Sequence, residues 1–111
     1  MKLIGSRTES LRREQLQQSA IAIKNNAAIT DLLNERFPHV KSAYVLACTP
    51  EQGEDIYSII VNGCVVIEFE ISRIDLTISD VEEISVEDYS KLIKNKSAKL
   101  DLAIALDLAN S

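Results

Sequence analysis

The chain has 111 residues, of which 46% are hydrophobic and 26% charged, with a formal net charge of −5. This is the composition of one ordinary globular domain, residues 1–111, with enough chain for a single core. Three glycines and two prolines exclude collagen, linker and low-complexity architectures, and no apolar run approaches the roughly 18 residues of a membrane span.

The start, MKLIGSRTESLRREQ, turns charged before a signal-peptide core could form, so a cytoplasmic protein is expected. Ser6-Arg7-Thr8-Glu9 fits a capping box, in which Ser6 and Glu9 satisfy each other's free backbone N–H groups. A long helix should follow to about Asn25, since Gln, Glu, Arg, Leu and Ala dominate and breakers are absent. Its apolar stripe is Leu16, Ala20, Ile23 and Ala27. Asn25-Asn26 marks a break and N-cap, and a second helix should run to Arg36 with Ile29, Leu32, Leu33 and Phe37 inward, stopped by Pro38.

From Val40 the hydrophobic period changes to two. VKSAYVLAC reads as a strand with Val40, Tyr44, Leu46 and Cys48 on one side and Val45 opposite. TPEQGED (49–55) reads as a turn. IYSIIV is the next strand, and Asn62-Gly63 predicts a two-residue type I′ turn with positive φ at both positions. CVVIEFEIS then alternates, with Val65, Ile67, Phe69 and Ile71 inward and Glu68 and Glu70 outward, which implies one wet sheet face. Ile74, Leu76 and Ile78 alternate again, the pattern of an optional short fourth strand. Ser85 is a helix N-cap with acids Glu87 and Asp88 in the first turn. KLDLAIALDLA alternates like a strand, but leucine and alanine favour helix, so a buried helix capped by Ser97 is expected. The expected fold is α+β, order α-α-β-β-β-(β)-α-α, with helices packed on one face of a small antiparallel sheet of three to four strands.

Few residues can carry covalent or metal chemistry. His39 is the single histidine, so any histidine-dependent triad would run through it, yet it follows Phe37-Pro38 in a connection with no nucleophile nearby. Cys48 and Cys64 are sixteen apart, neither a CxxC pair nor half of a zinc knuckle, and are expected as buried strand thiols. No GxGxxG, GxxxxGK[ST] or GxSxG motif is present. The pairs Glu54-Asp55 and Glu82-Glu83 make poor chelators on a strand, where neighbours point to opposite faces. Nor does a domain poor in aromatic rings suggest a sugar cleft for two-carboxylate hydrolysis. No catalytic residue, metal or cofactor is assigned. Few aromatics and an acidic total also argue against nucleic-acid binding.

Charge, however, is unevenly distributed. Residues 51–88 hold eleven acids and one base, Arg73, a net of −10, whereas the other 73 residues carry +5. Either the acids solvate a sheet that basic helices compensate, or they form a face for a basic partner, steering it electrostatically. The expected partner-binding acids are Glu51, Glu54 and Asp55 of the 50–55 turn and Asp80, Glu82, Glu83, Glu87 and Asp88 of the 80–88 segment.

At TPEQGEDIYSIIVNGCVVIEFEIS (49–72), SVEDYSKLIKN (85–95) and the closing KLDLAIALDLA, the chain resembles small acidic immunity proteins of bacterial contact-dependent growth inhibition systems. That resemblance implies a non-enzymatic, cytoplasmic protein that binds and neutralises a cognate toxin domain, often a nuclease, and it transfers no catalytic residue. The alternative is a structural or adaptor subunit of a small oligomer with a merely solvated acidic face.

Overall fold

The computed structural model describes residues 5–111; the opening MKLI, part of the start read above for a signal peptide, lies outside the described residues. Helices α1 (Arg7–Lys24) and α2 (Ala27–Arg36) come first. Four strands follow, β1 (Ala43–Glu51), β2 (Glu54–Val61), β3 (Val65–Ser72) and β4 (Ile78–Ser85), and helices α3 (Val86–Leu92) and α4 (Lys96–Ala109) close the chain. The strands form one antiparallel sheet in the order β1-β2-β3-β4, so the α+β class and the expected succession of elements hold, fourth strand included.

Local chemistry sets the helix ends. Ser6 Oγ accepts the Glu9 N–H at 3.1 Å, as a capping box requires, but Glu9 Oε1 accepts from Gly5 rather than from Ser6. Asn26 caps α2 and Ser85 caps α3, each through the N–H three residues on. The closing segment is a helix, capped by Asn95 instead of Ser97. Its composition outweighs its alternation, because Leu102, Ile104 and Ala105 all find apolar partners on a buried helical surface.

The helices do not gather on one face of the sheet. Ile59, Val61, Ile67, Phe69 and Ile71 pack against Ile23 of α1 and Ile29, Leu32 and Leu33 of α2. Ile60 and Val66, which point the other way, pack against Leu16 of α1, Tyr89 of α3 and Leu102, Ile104 and Ala105 of α4. The reason lies in two short runs, Ile59-Ile60-Val61 and Val65-Val66-Ile67, which are apolar at both parities and so need cover on both sides. Helix α1 serves both clusters by riding along the β1 edge, where Ser19 Oγ accepts the Val45 N–H at 3.0 Å.

Three strand boundaries differ from expectation. First, β1 continues through Thr49-Pro50-Glu51, leaving only Gln52-Gly53 as the turn, because a proline is tolerated on an edge strand. Second, β4 begins at Ile78, and Ile74 and Leu76 belong to the preceding connection. There Ser72 Oγ accepts the Ile74 N–H and the Asp75 carboxylate accepts the Thr77 N–H, local bonds that replace a ladder. Third, the β2–β3 connection is one residue longer than predicted. Asn62 (φ 56°) and Gly63 (φ 66°) do have positive φ, but Val61 pairs with Val65, so Cys64 is extra.

Neither cysteine is buried, contrary to expectation. Cys64 falls in the turn, and a bulge between Val45 and Ala47 shifts the β1 register so that Cys48 lies opposite Tyr57 near the sheet edge. Both thiols are free and exposed, and a maleimide should label two sites per chain in the native state. Labelling only after denaturation would contradict this placement.

Asn62 joins the turn to the chain entering β1. Its Oδ1 accepts the N–H groups of Lys41 (2.6 Å) and Ser42 (3.1 Å), and its Nδ2 donates to the His39 carbonyl. A Cβ on Gly63 would stand 3.0 Å from the Ala109 Cβ, in addition to the left-handed backbone. Gly63→Val should therefore lower unfolding free energy by about 2 kcal/mol or more in urea titration. Retention of wild-type stability would show that the turn is not so constrained.

Candidate functional site

The strand register sorts the acids. In β2 and β3, even-numbered residues share the face that carries Ile60 and Val66, so Glu54, Glu68 and Glu70 stand together there. Glu82 of β4 lies directly opposite Glu68 on the same face. Asp80 joins them through a bulge in β4, where two partners of β3, Glu68 and Glu70, face Glu82 and Ser79. Its φ of 52° is one that aspartate tolerates better than most residues.

These five carboxylates occupy the half of the face towards the β1–β2 turn, away from the buried Ile60–Val66 end. None of the five makes an ion pair among the described residues. Asp80 and Glu54 crowd Glu70, whose carboxyl is pushed up to about 7. A hydrogen bond shared with Asp80 contributes most, followed by partial desolvation and the charge of Glu54. Glu68 accepts the Ser58 hydroxyl at 2.7 Å, which fixes its position on the sheet.

The eight acids singled out from sequence do not share one surface. Glu54, Asp80 and Glu82 belong to the patch just described. Asp55 and Glu83 point to the opposite face, where Arg73 approaches Asp55 at 3.9 Å and Arg36 of α2 bonds Glu83 at 3.1 Å. Glu51 ends β1 at the turn. Glu87 and Asp88 lie in the first turn of α3, which follows Ser85 opposite Val65. That is the far end of the sheet, roughly 24 Å from Ser72 at about 3.4 Å per residue. Glu68 and Glu70 were missed as site residues, although their alternation with Ile67, Phe69 and Ile71 marks them as outward. Grouping them with Glu54 needs the extra turn residue that sets Val61 opposite Val65, because the two-residue turn read from the sequence would have set them beside Asp55.

Among the described residues no group of three His, Cys, Asp or Glu side chains is placed to hold a metal ion. His39 is exposed, and its backbone carbonyl is engaged by Asn62. A hollow of about 580 Å³ between α3 and α4 is lined by Ile93, Leu102 and Leu106 together with Lys99 and Asp107. A second, of about 290 Å³, lies between α1, α2 and the start of β1, lined by Ile23, Leu33 and Ala43 together with Lys24 and Lys41. Neither brings a nucleophile and a base together. No described helix is long and apolar enough to cross a membrane. Comparison with family models, curated proteins and solved structures finds no match to the chain.

The raised Glu70 carboxyl gives a pH test of the patch. Below 4.5, its ordinary value, Glu70 is protonated folded or unfolded. Between 4.5 and about 7 the unfolded chain releases the proton that the folded sheet retains, so stability falls as pH rises. Glu70→Gln should raise Tm above neutral pH and change it little in acid. Equal Tm shifts at both ends of the pH range would disprove the crowding of Glu54, Glu70 and Asp80.

Proposed function

We propose that the protein is a non-enzymatic binding protein that neutralises a basic partner, in the manner of an immunity protein covering the cationic cleft of its cognate toxin in the cytoplasm. The observation that carries this reading is the patch of Glu54, Glu68, Glu70, Asp80 and Glu82 on one sheet face with no cation among them. Like charges placed opposite one another across strands weaken a sheet, so folding alone gives no reason to gather them. A cleft that binds phosphates presents Lys and Arg side chains, and carboxylates at strand spacing can take the place of those phosphates. The same field draws a cationic protein in from a distance. The resemblance to immunity proteins of contact-dependent growth inhibition systems agrees in size and charge.

The test is binding to a basic protein that co-purifies with the chain, measured at low and high ionic strength. Glu54→Lys with Glu82→Lys should slow association by roughly tenfold or more at low salt and flatten its salt dependence. Stability should not fall, because neither acid makes an ion pair that the change would break and each reversal removes a like-charge neighbour from Glu70 or Glu68. An association rate untouched by the double reversal would leave the acids as a solvated face.

A further inference from the structure

The connection between β3 and β4, residues 73–77, carries two apolar side chains that folding does not explain. Leu76 has a φ of 60°, in the region that suits glycine, asparagine or aspartate, and it is 64% exposed. Ile74 is 91% exposed, the most exposed large apolar side chain among the described residues. A polar residue would be better solvated at either position, and a glycine or asparagine would be less strained at the second. Both local rules are broken at the same place with no return within the fold.

The connection is nevertheless well built. The Leu76 N–H donates to the Ser72 carbonyl at 2.9 Å, and Ser72 Oγ accepts the Ile74 N–H at 3.2 Å. Asp75 accepts both the N–H and the hydroxyl of Thr77, bonds that hold its carboxyl below the usual range. The Arg73 N–H donates to the Gly53 carbonyl at 2.9 Å, and its guanidinium reaches the Glu51 carbonyl, so the tip is tied to the β1–β2 turn. Ile74 and Leu76 thus stand on an ordered projection with Glu51, Glu54, Asp55, Asp75 and Asp80 near its base.

Resting on the acidic-surface reading above, we propose that Ile74 and Leu76 are the apolar anchor of that surface, which seats in a hollow rimmed by Lys and Arg side chains on a basic protein. An exposed aliphatic pair with carboxylates on both faces of the sheet end beneath it, and Arg73 as the single nearby cation, has the layout of an interface centre and its polar rim. Charge complementarity selects the occupant. A second copy meeting tip to tip would bring acids against acids, and the same excess of carboxylates would repel an anionic lipid surface. Steering and anchoring then divide between two groups of residues: carboxylates govern the rate of association, and the aliphatic pair governs dissociation.

The experiment places the photo-cross-linker p-benzoylphenylalanine at position 74 in the cells that make the protein, with Leu92 of α3, 63% exposed, as the control position. The cross-linked protein is identified by mass spectrometry, purified, and measured against the full chain and its variants. Position 74 should capture a protein of basic net charge that position 92 does not. Ile74→Ala should speed dissociation about tenfold while leaving association and its salt dependence unchanged. Leu76→Asn should keep or raise Tm and still weaken binding; a lowered Tm would give Leu76 a structural role and overturn its part in the anchor. No cross-link at 74 above that at 92, or capture of an acidic protein, overturns the proposal. If dissociation is unchanged in Ile74→Ala while Glu54→Lys with Glu82→Lys slows association, the anchor fails and the acidic surface stands. If neither variant changes binding, both fail.

Discussion

Two-sided burial of the central hairpin is the constraint from which the rest of the structure follows. Ile59, Ile60, Val61, Val66 and Ile67 alternate between the two faces of the sheet, yet all are between 0 and 1% exposed. Each such side chain stabilises the fold by roughly 1.5–3 kcal/mol only when its own face is covered. One layer of helices cannot do this. Helix α1 therefore crosses from one cluster to the other along the β1 edge, α2 closes one face, and α3 and α4 close the other. Bonds between α1 and α4, Arg12 to Asp101 at 2.9 Å and Arg13 to Asp107 at 2.8 Å, set the helices against one another.

Covering that end leaves the other end of the same face open to water. There β3 returns to simple alternation, and Glu68 and Glu70 point out from Phe69 and Ile71, which are buried beneath. Tyr57 stacks on Phe69 at 5.5 Å on the buried side, so the acidic array is backed by a rigid layer and not by a mobile loop. Rigidity matters for a charged surface, because carboxylates held at fixed spacing are not reordered at the moment of binding. The arrangement opposes folding locally, as the raised Glu70 carboxyl records, and the core at the opposite end offsets it.

The acidic patch and the β3–β4 tip act over different distances. Charge acts out to a Debye length of about 8 Å at physiological salt and aligns an approaching partner before contact. An aliphatic side chain acts only where water is excluded, and so governs how long a complex lasts once formed. Their adjacency at one end of the sheet comes from the meander, since the β1–β2 and β3–β4 connections necessarily fall on the same side.

Much of this was legible in the residues. Periodicity and composition determined the four helices and the three strands from Tyr44 to Ser72 to within a few positions. Asn62-Gly63 determined a positive-φ turn, and the concentration of acids in residues 51–88 determined that one region would be strongly negative. These are local properties: a side chain's preference for a backbone region, the spacing of apolar residues, and a running sum of charge. What only the tertiary structure decided is which way each side chain points once strands are in register. A bulge at Val45–Ala47 carried Cys48 to a site opposite Tyr57, and a bulge at Asp80 joined that acid to Glu70. The same register sent Asp55 and Glu83 to the opposite face, and local bonds at Ser72 and Asp75 turned an apparent strand into a projecting loop. A one-residue slip reverses the face of every following side chain, and no property of the residues taken one at a time specifies where that slip occurs.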